Sequence, residues 1–210
     1  MLTFTMCRFY NPKGEEISRE DFIDIYSTIY YFLVDKRKED NIDEMLKENH
    51  SLTEYDIITF LRWKVGDKKN NERKIITNYG TKIDIFSVKR LHSNISSNSF
   101  SDERASYEAI LDNKVYNLGP VYILSLVYLY SKGEQPIYDK FSDIALTAIT
   151  KDIAFRETVK YDDMPGKTSI DAVMKQYGDF KEKLNIVFKD SWKTNRDIDR
   201  ALWTYGHMFN

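Results

Sequence analysis

Residues 121–130, VYILSLVYLY, form an apolar run interrupted only by Ser125. This run constrains the fold more than any other stretch. It is too short to cross a bilayer, which takes about 20 apolar residues. It is also too uniformly apolar to lie on a surface, because a helix that is apolar all round belongs inside a core. Both of its ends are marked. Leu118-Gly119-Pro120 leads in, and Pro120 suits a first helical position, where its missing N–H costs nothing. Ser131-Lys132-Gly133-Glu134-Gln135-Pro136 leads out. Tyr138-Asp139-Lys140 then opens a segment with Phe141, Ile144, Ala145, Ala148 and Ile149 at helical spacing. Residues 112–149 therefore read as two helices joined by a turn, with one acidic residue at the mouth of the second.

The rest of the chain reads as helices around that unit. Residues 2–10 alternate apolar and polar side chains, and Asn11-Pro12-Lys13-Gly14 supplies a turn, so a short N-terminal strand or hairpin is expected. No other stretch gives a sheet signal. Ser18, with Glu20 and Asp21 behind it, starts a helix whose apolar face is Phe22, Ile25, Tyr26, Ile29, Tyr30 and Leu33. Residues 35–40 read as a charged end to it, and 41–49 as a short helix with Ile42, Met45 and Leu46 inward. Ser51 or Thr53 caps the next helix, with Tyr55, Ile57, Ile58, Leu61 and Val65 inward and Gly66 at its end. Residues 67–73 read as a loop, 83–91 as a helix and 92–99 as a loop. Ser101-Asp102-Glu103 and Ser169 start further helices, and Asn195 and Asp197 lead into a last one. The fold class is mainly α with a short N-terminal β-hairpin.

Composition narrows the function. Cys7 is the only cysteine and His50, His92 and His207 are scattered, so neither a disulfide nor a structural metal is expected, and no cofactor. The first residues lack a basic stretch followed by an apolar one, so the expected location is the cytoplasm, with no membrane partner. A net charge of −2 does not advertise nucleic-acid binding. Its distribution says more. Residues 62–92 hold nine Lys/Arg against three Asp/Glu, whereas residues 113–210 hold fourteen against thirteen. The basic segment is either a solvated loop between helices or an edge that contacts phosphates.

Asn117-Leu118-Gly119-Pro120 fits a turn that binds a phosphodiester backbone. Amides at a helix N-terminus point at phosphate oxygen, the dipole adds attraction, and glycine lets the backbone approach. An ordinary loop before a core helix is the plain alternative. Asp139 has two readings as well. It is a helix cap, or it is a carboxylate whose charge does chemistry, favoured by the dipole at the helix start.

Leu-Gly, an apolar helix, a Gly/Pro break and Tyr138-Asp139 together resemble the helix–hairpin–helix DNA glycosylase superfamily. The 20 residues from Gly119 to Asp139 match the superfamily's interval between the last hairpin glycine and its essential aspartate. GPVYILSLVYLY, QPIYDKF and DRALWTYGH are similar to the bacterial 8-oxoguanine-glycosylase-fold branch. The likeness is best over 115–149 and 197–209, with the stretch 60–66 compatible. It implies a helix–hairpin–helix glycosylase-like helical domain spanning 1–210. That domain is either one unit or lobes made of short strands (1–15), helices (18–112), and the hairpin with the C-terminal helices (113–210).

The resemblance implies roles residue by residue. Asn117, Gly119 and Lys140 would contact the DNA backbone. Asp139 would stabilise the oxocarbenium-like sugar and activate water. Tyr122, Trp203, Tyr205 and His207, with Phe209, would line the pocket for a base flipped out of double-stranded DNA. Two departures stand out. Asn117 replaces the first glycine of the family's Gly-x-Gly. The lysine of bifunctional members is replaced by Val121, or by Pro120 one residue earlier, and neither can form a Schiff base. The expected activity is therefore base hydrolysis without strand cleavage, on a damaged or modified base, in repair or in defence against modified foreign DNA. The alternatives are a DNA-binding module that keeps the fold without turnover, and a protein–protein adaptor.

Overall fold

A computed structural model describes residues 7–67, 69, 71–78, 80–95, 100, 102–153 and 157–209. Its contacts divide the chain into two compact units. The first gathers residues 1–35, 138–163 and 175–210, and the second 36–137 and 164–174. Among the described residues, no helix is long and apolar enough to cross a membrane.

The first unit begins with strands β1 (Phe9–Tyr10) and β2 (Glu16–Ile17), paired antiparallel with Phe9 opposite Ile17. Asn11 fixes the turn by accepting from the amides of Lys13 and Glu15 at 2.9 and 3.0 Å. The hairpin signal thus yields two short strands, while residues 1–6 of the alternating stretch lie outside the described residues. Ser18 caps α1 (Arg19–Leu33) by accepting from the Asp21 amide. Phe22, Ile23, Tyr26 and Tyr30 are the large side chains that α1 buries, whereas Leu33, expected inward, is exposed along with Phe32. The first unit also holds α7 (Lys140–Thr150), the later part of α8 (Ile170–Phe188), and α9 (Asn195–Gly206), which ends in a 3-10 turn, His207–Phe209.

Helix α9 packs on both α1 and α7. An aromatic cluster joins α9 to α1. Tyr205 meets Phe22 and Tyr26 edge-on, both with ring centroids 5.0 Å apart. Such pairs add roughly 1 kcal/mol each beyond the area they bury.

The second unit is built around α6 (Pro120–Tyr130). Every residue from Ile123 to Leu129 is buried, as the apolar run demands. Packing it encloses roughly 2 kcal/mol of transfer free energy per large aliphatic side chain. Helix α3 (Glu54–Val65) packs on α6, held at its start by a capping box between Thr53 and Asp56 and closed by Gly66 at φ +67°. Helices α4 (Ile85–Ile95) and α5 (Glu103–Asp112, capped by Asp102) complete the surround.

Three expectations need correction here. The sheet is not confined to the N-terminus, because β3 (Lys74–Ile76) and β4 (Lys82–Asp84) form a second antiparallel hairpin with Ile75 opposite Ile83. Three-residue strands are too short to show a period of two, and the inward Ile pair is buried between them. Helix α2 (Lys36–Met45) starts inside the stretch read as a charged end. Lys, Arg and Glu are good helix formers, and Glu39, Ile42 and Met45 turn inward together, Glu39 accepting from the Trp63 indole at 2.5 Å. Tyr55, expected inward on α3, is exposed.

Candidate functional site

Asp139 occupies the N-cap of α7 in extended backbone, and its carboxylate accepts from the Phe141 amide at 2.8 Å. It is half-buried. The helix start therefore does two things at once. It fixes the rotamer of the carboxylate, and its dipole favours negative charge there.

Helix α9 closes over this helix start through a backbone-to-backbone contact. A Cβ on Gly206 would fall 1.9 Å from the Phe141 carbonyl oxygen, so no other residue fits without displacing one helix. That approach lays Trp203 of α9 and His207 of the 3-10 turn, four residues apart, against Phe141. The His207 ring stacks on Phe141 with centroids 3.4 Å apart and planes 25° apart. Trp203 tilts onto His207 at 3.9 Å and meets Tyr30 edge-on at 5.2 Å.

The His207 Nδ1 lies 2.8 Å from the Trp203 carbonyl oxygen. A carbonyl only accepts, so Nδ1 carries a proton and neutral His207 presents Nε2 as an acceptor. Burial lowers the imidazole below its ordinary value of 6.5, opposed by that hydrogen bond and by the charge on Asp139.

A polar network lies on the other side of the α7 start. Tyr138 is fully buried, and its hydroxyl receives a hydrogen bond from Gln176 Nε2 at 3.1 Å. That hydroxyl also lies 3.4 Å from Asp143 Oδ2 and 3.5 Å from the Tyr161 hydroxyl. Lys183 donates to Asp143 at 2.9 Å and to Thr147 at 3.1 Å. Burial pushes both phenols up, and the carboxylate of Asp139 adds to the effect on Tyr161. Lys140, exposed, holds its ammonium 5.4 Å from the centre of the Tyr161 ring. The charge of Asp139 thus bears on two aromatic groups, His207 of the 3-10 turn and Tyr161 of an irregular stretch.

The expected site residues separate as follows. Asp139, Lys140, Trp203 and His207 gather around the start of α7 in the first unit. Tyr205, expected in the pocket, does not join them. It is 1% exposed and belongs to the Phe22–Tyr26 core. Geometry explains this, because positions 203 and 207 differ by about 40° around a helix while 205 points nearly opposite. Phe209 is buried against Tyr205 at 5.0 Å, also in the core. Phe141 and Tyr161 are neighbours of Asp139 that sequence reasoning missed. In one dimension Phe141 is only a helix core position, and Tyr161 sits in an irregular stretch without a period to follow.

Asn117, Gly119 and Tyr122 belong to the second unit. Gly119 is the N-cap of α6 and offers no side chain to the first-turn amides. Its backbone is extended, and a Cβ there would come no closer than 4.0 Å, to the half-buried Tyr122 ring. The positive φ of the turn falls instead on Asn117, at +63°. Asparagine tolerates that region better than most residues, which accounts for Asn where a glycine is expected. Its Nδ2 donates to the Lys82 carbonyl at 2.9 Å.

A shallow depression of about 100 Å³ in the second unit is lined by Lys38, Tyr55, Thr59, Arg62, Trp63 and Asp67, none of them an expected site residue. Among the described residues, no cluster of His, Cys, Asp and Glu is arranged to hold a metal ion. Comparison with protein-family models, with curated proteins and with solved structures finds no match.

Proposed function

We propose that the chain is a monofunctional DNA glycosylase of the helix–hairpin–helix type, acting on a damaged or modified base flipped out of duplex DNA. The observation that carries this reading is the start of α7. There a capped carboxylate, Asp139, lies within electrostatic reach of His207, which is stacked on Phe141 beside Trp203. Breaking the N–C1′ bond develops positive charge on the sugar. A fixed carboxylate stabilises that charge and accepts a proton from the attacking water. The water oxygen bonds to C1′ as the base departs with the electron pair of the broken bond. Aromatic faces suit a flipped base, and the Nε2 of neutral His207 offers an acceptor to it. Trp203 and His207 are the pocket residues in this reading, joined by Phe141.

Val121 and Pro120 stand where an amine nucleophile would be needed, so the DNA strand stays intact. Gly119 supports the reading from the second unit. Among the described residues nothing comes closer than 4.0 Å to where its side chain would stand, which suits the approach of a phosphate to the α6 start.

The test is base release from a panel of duplexes carrying oxidised, alkylated, deaminated and hypermodified bases. Abasic sites, seen as breaks only after heat or alkali, are the expected product, and Asp139→Asn slows their formation by about 100-fold or more. If no member of the panel yields abasic sites, the enzyme reading fails. The second reading, a DNA-binding module without turnover, is favoured by the bond from Phe141 to Asp139, since a cap alone accounts for that contact. It predicts salt-sensitive duplex binding that Asp139→Asn leaves unchanged, with no base release.

A further inference from the structure

We infer that the β3–β4 hairpin, the exposed face of α4 and the turn between α5 and α6 form one phosphate-binding surface for duplex DNA. This rests on the DNA-directed reading above and extends it to residues outside the helix–hairpin–helix turn.

Two side-chain bonds fasten the turn to the basic segment. Asn117 donates to the Lys82 carbonyl of β4 at 2.9 Å, and Asn94 of α4 donates to Asn113 at 2.6 Å. All of these residues lie in the second unit, so the surface is complete within it.

The hairpin then sets which way its cations point. Ile75 and Ile83 face each other and are fully buried. In a strand, successive side chains alternate between faces, so Lys74 beside Ile75 and Lys82 beside Ile83 stand outward. Both are exposed, as are Arg73, Arg90 and Lys114. Among the described residues, none of these five cations has an acidic side chain within ion-pair distance, although Lys89 nearby pairs with Glu54. Asp84, the last residue of β4 and opposite Lys74 in the hairpin, is turned to the start of α4, where it accepts from the amide and hydroxyl of Ser87 at 2.8 Å each. Lys74 and Arg90 both act on its charge, which places Arg90 beside the hairpin.

One carboxylate, Asp84, does not balance five cations, and a row of phosphates relieves the repulsion that is left. Two exposed rings, Phe86 at 73% and Tyr116 at 75%, sit among them. Cations gathered on one face are the electrostatic footprint of a nucleic-acid surface. Continuous stacking of a single strand would need a row of rings, and among the described residues of this surface only these two rings are exposed, which favours a duplex.

The experiment uses the full chain in two variants of equal charge change. One carries Lys74→Gln, Lys82→Gln, Arg90→Gln and Lys114→Gln. The other carries Lys13→Gln, Lys160→Gln, Lys175→Gln and Lys189→Gln, exposed positions of the first unit. Far-UV circular dichroism and thermal melts confirm that both fold. Affinity for an unmodified 20-base-pair duplex is then measured by fluorescence anisotropy from 50 to 200 mM salt. The hairpin variant is expected to lower the slope of log affinity against log salt by about 3 to 4, at about 0.9 for each phosphate no longer neutralised. Its affinity at 50 mM salt should fall at least ~100-fold, while the control variant stays within about threefold. Equal losses in the two variants overturn the surface. So does hairpin-dependent binding that prefers single-stranded RNA or anionic vesicles to the duplex. Hairpin-dependent duplex binding without base release from any substrate supports the surface and sinks the glycosylase reading. Base release unaltered in the hairpin variant, with an unaltered salt slope, does the reverse.

Discussion

At the start of α6, Gly119 presents no side chain to the first-turn amides, whereas at the start of α7 Asp139 sets a carboxylate on them. The same end of the helix dipole is used in opposite senses. One start is left open to an anion that would come from outside, and the other carries an anion of its own. Their surroundings differ in kind too. The cations near the α6 start are exposed and, among the described residues, have no acidic side chain within ion-pair distance, while Asp139 is hemmed in by a stacked imidazole, a buried phenol network and the α9 backbone. Binding and chemistry should therefore respond to different perturbations. Loss of charge near α6 changes affinity and salt dependence, while changes around α7 alter turnover and stability.

Glycine substitutions put the largest strain on that contrast. Gly206→Ala drives a Cβ into the Phe141 carbonyl, and we expect a loss of about 3 kcal/mol or more in urea unfolding. Gly119→Ala brings its Cβ only into ordinary contact with the Tyr122 ring, at 4.0 Å, and should cost less than about 1 kcal/mol, the scale of an altered N-cap. It should still weaken duplex binding if phosphate approaches there. Equal stability losses at the two glycines would erase the distinction between a packed helix start and an open one.

Tyr138→Phe removes a buried hydroxyl from the network under Asp139. A loss of about 1 kcal/mol is expected, the net worth of a typical hydrogen bond. Gln176 keeps a partner in the Asp162 carbonyl, at 3.0 Å, which limits the penalty. An unchanged unfolding midpoint would mean that the network does not brace the α7 start.

The smallest expected effect is a pH dependence from His207. Its folded value is depressed, so between that value and the ordinary 6.5 the unfolded chain binds the extra proton. Stability from this group is complete above pH 6.5 and declines as pH falls. His207→Gln should flatten the acid limb of a stability–pH curve just below pH 6.5, and a parallel limb in the variant would show that His207 does not contribute.

Much of this arrangement was legible in the sequence. The apolar run fixed α6 because nothing but a core accommodates it, and Gly119-Pro120 marked its first residue. Asp139 was legible as the residue opening α7, although its two roles look alike in one dimension. The faces of α9 were legible as well, since four-residue spacing puts Trp203 with His207 and sends Tyr205 to the core. What escaped was short or non-periodic. Three-residue strands gave no alternation to count. Tyr161 reaches the network from an irregular stretch, and the need for glycine at 206 exists only once α7 lies against it. The basic segment was visible as composition, but its coherence as a surface depends on Asn117 and Asn94 bonding across the second unit.

Whether Asp139 does chemistry beyond capping is decided by Asp139→Asn, because asparagine caps a helix about as well as aspartate. Stability, duplex affinity and single-turnover base release should be measured side by side on a duplex that the unaltered protein processes. We expect a change in stability below about 0.5 kcal/mol, affinity within a few-fold, and base release slowed by about 100- to 10,000-fold. Base release undiminished in Asp139→Asn would contradict the catalytic role, and would leave Asp139 as a helix cap alone.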